Sequence, residues 1–540
     1  MKKTLQVSAV VLLSGLVLAG CGKSGGDAKK KSDVKVEAKG FPIVKDKVKM
    51  TMMAPGTGLA EWKDMPTMKD YAEKTGIEFK YTTPPLSDFP TKLNLAFASG
   101  DIPDIIFGAG SSTLTAAMEI DYGQQGMLVA LEDLIPEYAP NLNKLMEEDP
   151  SIRQSITTPD GHIYSLPAIA RGDTAIWPRG PLWYKGSWLK NLDVKELPKT
   201  TDEFKDLLIR FRDEDPNGNG KKDEVPLTDS KLDSSRAWLM AAFGMKEQGI
   251  EEIDGKVRYS PITDNYKGFV TYMNELYKEG LLDKEVYSQA DEQRKAKGQN
   301  DQVGVFPDWF SYFTTGQTET EALENPMFQP LTSEFSKKAV VPGSPRLSRG
   351  VFAITQNNPS PEAALRWVDY FYTPEGSQYL NQGPEGALWK YEENDKGEKV
   401  KVFNEGIDLE KREDERGKVT PDYGIPVPAL GVSFPGIKEK ANDPDDNKFT
   451  EFIKNETEEK ITKYAETPYP LVYLTKEDQD KVSAVATDLK TYVEQMEAKF
   501  ITGVEPISNW DKFVDTINSM GVEEYVKVYQ DAYDTWKKNA

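Results

Sequence analysis

Val48-Lys49-Met50-Thr51-Met52-Met53, Ile77-Glu78-Phe79-Lys80-Tyr81 and Ile102-Pro103-Asp104-Ile105-Ile106-Phe107 set the fold class of this chain. The first segment alternates and then meets Ala54-Pro55-Gly56, as a strand running into a turn does. The second alternates strictly, and the third is a short apolar strand ending at Gly108. Residues 60–74, ending at Gly76, and Phe89–Ser99, capped by Gly100, carry helical periodicity between them. The order is therefore β-α-β-α-β, which predicts an α/β domain with a mixed or parallel sheet. Further helix faces follow at Phe204, Leu207, Leu208 and Phe211, at Leu365, Val368, Phe371 and Tyr372, and at Val482, Val485, Leu489, Val493 and Met496. Tyr525, Tyr529 and Tyr533 recur every fourth residue, a stripe that suits core packing. Residues 391–420 are densely charged and are expected to be a solvated excursion.

The chain is 540 residues long, with 67 Lys and Arg against 88 Asp and Glu and a formal net charge of −21. That balance opposes a surface built to neutralise nucleic acid, so no nucleic-acid partner is expected. One Cys and one His exclude an intrachain disulfide framework, multi-Cys zinc or iron–sulfur sites, and a His-rich metal centre. The Cys has an informative position. Lys2 and Lys3 precede a short apolar run, Val7 to Leu18, too short to span a bilayer. Leu18-Ala19-Gly20-Cys21 resembles the lipobox of bacterial lipoproteins, where the signal peptide is cut before Cys and the thiol carries lipid. The resemblance implies a signal peptide over 1–20, lipidation (palmitate included) at Cys21, and a chain held at the extracellular face of the bacterial membrane. Residues 21–40 are expected to be a flexible tether.

Seven phrases in order resemble the solute-binding proteins of ABC importers: Phe97-Ala98-Ser99-Gly100-Asp101-Ile102-Pro103-Asp104, Gly126-Met127-Leu128-Val129-Ala130-Leu131, Pro159-Asp160-Gly161-His162-Ile163-Tyr164-Ser165-Leu166-Pro167, Leu182-Trp183-Tyr184-Lys185 with Trp188-Leu189, Gly376-Ser377, Gly383-Pro384-Glu385-Gly386, and Phe500-Ile501-Thr502-Gly503 with Trp510-Asp511. Gly186-Ser187 departs from the acidic residue usual there. The whole is most similar to the large oligosaccharide-binding subgroup that includes alginate-binding proteins. The resemblance implies a two-lobed periplasmic-binding-protein-like fold with a hinge and an interlobe cleft. Lobe 1 is expected over 41–172 plus about 350–420, and lobe 2 over 173–349 plus about 421–540. Crossings are expected near 168–180 and 343–352 and after Gly386. The implied function is capture of an oligosaccharide by a monomer that delivers it to ABC transporter permease subunits, without catalysis. The alternatives are an extracellular glycan-processing enzyme and a peptide-binding lipoprotein. No local motif singles out the acid and base that glycoside hydrolysis needs.

Asp215-Pro216-Asn217-Gly218-Asn219-Gly220-Lys221-Lys222-Asp223-Glu224 follows the helix over 202–213. Counting Asp215 as position 1, side-chain oxygens fall at 1, 3, 5 and 9, Gly220 stands at 6, and Lys221 offers a carbonyl at 7. This spacing wraps a loop around Ca²⁺. Position 12 is Pro226, so Glu224 is expected to supply the missing carboxylate. Alginate-binding proteins carry a similar loop, which maps to Asp215, Asn217, Asn219, Lys221, Asp223 and Glu224. The ion's expected role is structural.

A sugar cleft needs aromatic platforms with planar polar groups around them. Near expected crossings and strand ends stand Trp177, Trp238, Asp308, Trp309, Arg349, Glu385 and Trp389, the candidate ligand residues. Arg171, Arg179 and Arg236 are further partners for an acidic sugar.

Overall fold

The computed structural model describes residues 34–171, 180–443 and 448–539. Two hydrophobic cores divide them. The first surrounds a six-stranded sheet in the order Leu430–Gly431, Leu166–Ala170, Leu347–Ile354, Ile105–Phe107, Val48–Met53, Ile77–Thr82. Val48 pairs with Ile77 and Met52 with Ile105, both in parallel, while Leu347–Ile354 runs antiparallel to its two neighbours. The expected β-α-β-α-β order is therefore present. Only Ile105–Phe107 of the third segment is strand. Pro103 has no N–H to pair, and the Asp104 carboxylate accepts hydrogen bonds from Thr51 N (2.6 Å) and Thr51 Oγ1 (2.9 Å).

Alternation along these strands builds the layers. Met50, Met52, Ile105, Phe107, Phe352 and Ile354 face Trp62, Tyr71 and Trp367. Met53, Ile106 and Ala353 face Phe89, Leu93, Phe97 and Tyr164 on the other side. The helix Ala116–Gln124 lies on that second face, where Tyr122 stacks on Phe97 with ring centroids 3.9 Å apart.

The second core surrounds a three-stranded sheet, Leu182–Tyr184, Val303–Pro307 and Val225–Leu227. The helix Thr201–Asp213 starts on a capping box between Thr200 and Glu203, and its Phe204, Leu207, Leu208 and Phe211 are all buried there. Phe449, Ile453, Leu489, Val493, Phe500 and Trp510 complete this core. The C-terminal tyrosine stripe packs as its spacing predicts, with Tyr525 edge-on to Tyr259 at 6.1 Å.

The chain thus passes between the cores three times: between Ala170 and Leu182, between Val341 and Leu347, and between Gly431 and Phe449. Two expected boundaries shift. Leu430 pairs with Ile169 in the first sheet, so residues 425–432, expected with the second lobe, pack with the first core. Residues 34–40, expected in the tether, also join it. Val36 pairs with Val44, and Arg366 donates to Glu37 O and Gly40 O. No described helix is long and apolar enough to cross a membrane.

Candidate functional site

Two groups of side chains stand near the described ends of the first crossing, at Ala170 and at Pro181. On the second core, the strand Val303–Pro307 ends at Asp308-Trp309-Phe310-Ser311-Tyr312-Phe313, four aromatic rings in six residues. Asp308 N donates to Pro181 O, which ties this corner to the end of the crossing. The Asp308 side chain is held on both oxygens. Oδ1 accepts from Trp309 N at 2.9 Å and Oδ2 from Thr314 Oγ1 at 2.8 Å, with Arg294 Nη2 at 3.5 Å. Arg294 is itself buried and donates to Pro307 O and Thr314 Oγ1. So fixed, the corner presents Trp309, 55% exposed, and Phe313, 46% exposed. Phe310 and Tyr312 lean back on Phe449. Neighbouring exposed rings form the kind of apolar patch that marks a binding surface.

On the first core, Ala168, Ala170, Arg346, Ser348, Asn381, Asp422 and Phe434 line a pocket of about 410 Å³. Asn381 Nδ2 donates to Asp422 Oδ2 at 2.6 Å, and Arg416 Nη1 stands 3.8 Å from the same oxygen. Burial pushes the Asp422 carboxyl above its usual range, against the pull of Arg416 and Asn381. The charged helix Arg412–Val419 borders this side. Tyr312 of the other core feels it: burial first, then Glu319 and Glu413, push its hydroxyl up to about 12, while Arg412 pulls it down. Of the charged excursion, Arg412 and Glu413 thus lie within electrostatic reach of the aromatic corner.

The structure gathers only part of the expected set. Asp308 and Trp309 stand together. Trp238 is buried in the second core, edge-on to Phe328 at 5.9 Å, because its helix Ser235–Ala241 turns it inward. Trp389 is buried between Leu388 and Val419; its Nε1 donates to Gly383 O and Lys401 Nζ lies 4.0 Å from its ring centroid. Glu385 is exposed on the turn before it. Arg349 turns away from the pocket that its neighbour Ser348 lines. It is buried on the opposite sheet face, with its guanidinium 3.9 Å from the Tyr473 ring. Alternation along the strand sets that direction, and a bulge follows between Ser348 and Phe352. At its centre Gly350 has φ +70°, and a Cβ there would come 2.4 Å from Leu114 O. Arg236 pairs with the buried Glu497 at 2.8 Å, and Arg171 with Asp149 at 2.7 Å. Trp177, Arg179 and Cys21 lie outside the described residues.

Asp215–Glu224 forms a tight loop after the helix Thr201–Asp213. Asp215, Gly218 and Gly220 have φ of 50°, 69° and 71°. Asn219 N and Gly220 N donate to the two Asp215 oxygens, and Lys221 N donates to Asn219 Oδ1. Asn219 Nδ2 donates to Asp223 Oδ1. Glu224 Oε1 is buried without a hydrogen-bond partner. Burial, and then Asp223 and Asp215, hold the Glu224 carboxyl above its usual range. A buried carboxylate oxygen without a partner is an environment that a hard cation satisfies. Among the described residues no three His, Cys, Asp or Glu side chains gather closely enough to hold a metal alone. Such a cation would draw on Asn217, Asn219 and the Lys221 carbonyl as well.

Two cores joined by three crossings, with an exposed aromatic corner on one and a polar pocket on the other, fit the plan of a two-lobed binding protein. The chain belongs to the family of bacterial extracellular solute-binding proteins, whose description matches residues 56–378. It is a binding protein rather than an enzyme. It is 29% identical over 557 residues, 99% of each chain, to the fructooligosaccharide ABC transporter substrate-binding protein FusA of Streptococcus pneumoniae serotype 4. The structure of S. pneumoniae FusA with kestose matches at TM-score 0.72 and 26% identity, covering 91% of this chain and all of that one. An EF-hand mutant of FusA with fructo-nystose matches at 0.71, again at 26% identity, 91% and 100% coverage. The alginate-binding protein AlgQ2 without calcium shares the fold at TM-score 0.67 and 22% identity, covering 91% of this chain and 99% of that one.

Proposed function

We propose that this protein is anchored by lipid at Cys21 to the outer face of the cell membrane, captures an oligosaccharide between its lobes and passes it to the permease of an ABC importer. Lobe 1 comprises residues 34–171 and 344–443, and lobe 2 comprises 180–343 and 448–539. The observation that carries the ligand class is the Asp308–Phe313 corner. Trp309 and Phe313 offer flat apolar faces for the C–H side of a sugar ring, and Arg346, Asn381 and Asp422 offer planar polar groups for its hydroxyls. The likeness to FusA makes a fructo-oligosaccharide the first ligand to test.

Ca²⁺ completes the loop over residues 215–224, held by Asp215, Asn217, Asn219, the Lys221 carbonyl, Asp223 and Glu224. The Glu224 oxygen left without a partner supports this, as does the EF-hand of FusA. The ion fixes the loop and does no chemistry.

Titration calorimetry of the full chain with kestose tests the ligand assignment. Binding without turnover of the sugar, lost in Trp309→Ala, is the expected result. Equal binding by Trp309→Ala and the parent would place the ligand elsewhere.

A further inference from the structure

Away from the aromatic corner, the two lobes touch directly at a buried polar socket. Tyr473, of lobe 2, precedes Leu474, which packs on Val482 and Val528. The Tyr473 hydroxyl donates to Glu119 Oε2 of lobe 1 at 2.9 Å. Ser165 Oγ donates to the same oxygen at 2.6 Å and accepts from Gly350 N. The Arg349 guanidinium covers the Tyr473 ring. Glu119 is fully buried and Arg349 nearly so; Glu119 Oε1, Arg349 Nε and Arg349 Nη1 have no hydrogen-bond partner. Lys476 pairs with Asp121 at 2.9 Å beside the socket, and Gln154 donates to Trp536 O.

This contact and the candidate cleft lie on opposite faces of one crossing strand. On Leu347–Ile354, Ser348 faces the pocket and its neighbour Arg349 faces the socket. The pocket shares Leu380 and Ala429 with one face of the first sheet, while Glu119 stands on the helix that covers the other face. On the cleft side no hydrogen bond joins Tyr312 to Arg412 or Glu413, whose hydrogen-bond partners all lie outside the Tyr312 corner. On the socket side the lobes are in contact.

We infer that Tyr473, seated in the socket of Glu119, Ser165 and Arg349, is a latch that holds the lobes apart at the cleft and so sets ligand affinity from outside the ligand site. A rotation about the crossings that brings the Tyr312 corner onto Arg412 draws Tyr473 out of its socket. Closing therefore breaks a buried, charge-assisted hydrogen bond and a cation–π contact. The ligand must offset that loss, so apparent affinity is lower than the closed cleft alone would give. The partnerless atoms of Glu119 and Arg349 keep the latch weak enough to release. The inference rests on the binding function proposed above.

The test compares Tyr473→Phe and Glu119→Gln with Tyr469→Phe, which removes a hydroxyl bonded to Tyr529 O within lobe 2 alone. Kestose affinity is expected to rise about tenfold in each latch variant and to stay within about twofold in the control. Lobe separation is read independently, by energy transfer between dyes at Lys144→Cys and Lys195→Cys, one exposed site on each lobe, in a Cys21→Ser background. In Tyr473→Phe without sugar, the distance distribution is expected to move from that of the parent. Unchanged affinity and unchanged distances in both latch variants would overturn the latch. Should the parent bind no kestose, the ligand assignment fails and the distances alone decide the latch: a shift supports it and no shift refutes it.

Discussion

Removing calcium is expected to destabilise lobe 2 by an amount the loop itself sets. Without the ion, Glu224 Oε1 is buried and unpaired, and Asp215 and Asp223 repel its charge. An orphaned buried acceptor costs about 1–3 kcal/mol. Mass action gives a similar size. For a site with a dissociation constant of about 10⁻⁵–10⁻⁴ M, calcium at about 1 mM adds roughly 1.4–2.7 kcal/mol. In a folding unit of roughly 150–250 residues, that is a fall of about 3–10 °C in melting temperature on chelation. The pH dependence has a definite sign. The Glu224 pKa is raised by burial, so the folded, chelated chain binds this proton more tightly than the unfolded chain. Its stability then falls as pH rises from the ordinary carboxylate value through the raised one. Asp223 is lowered, chiefly by its Asn219 hydrogen bond, and acts in the opposite sense at lower pH. The stabilisation by calcium should therefore be larger at pH 7.5 than at pH 5. Differential scanning fluorimetry with chelator, then with calcium restored and magnesium as a control, measures both effects. Glu224→Gln should melt no lower than the chelated parent and should respond only weakly to calcium. A parent melting temperature indifferent to chelator and to calcium at every pH would refute the calcium loop.

Trp309→Ala should weaken kestose binding by about 1–3 kcal/mol, the scale of one aromatic platform, with little change in melting temperature; Trp238→Ala should cost about 3–5 kcal/mol of stability through a core cavity, seen in denaturant titration. His162 Nδ1 lies 2.6 Å from Glu132 Oε1, which raises the imidazole pKa. As the chain's one histidine, it should give a single NMR titration above the usual value that Glu132→Gln returns to about 6.5. The stability it lends is present below the unfolded imidazole pKa and disappears as pH rises through the folded one, a small effect because the ring is half exposed. Cys21→Ser should move the protein from the membrane fraction to the medium, as blotting would show, without changing kestose affinity.

Local chemistry was legible from the chain alone. The strands near Val48, Ile77 and Ile105, the helices capped by Gly76 and Gly100, and the buried stripe of Thr201–Asp213 all follow from patterns a few residues long. The oxygen spacing of 215–224 and the order of family phrases are likewise carried by the sequence, because each is a register along one stretch of backbone. Asp308 and Trp309 were reachable for the same reason: a strand end followed by dense aromatics is a local signal. Arg346, Asn381, Asp422 and Phe434 were not, since they come from separate segments that meet only after the sheet and its crossings form. Tertiary structure alone also decided the fate of Trp238 and Arg349. A tryptophan is buried or displayed according to how its helix packs, and Arg349 is buried because Tyr473, more than 100 residues away, is brought onto its face of the sheet. The placement of residues 425–432 with the first core was decided the same way, by Leu430 finding Ile169, a pairing between positions more than 250 residues apart that no local pattern encodes.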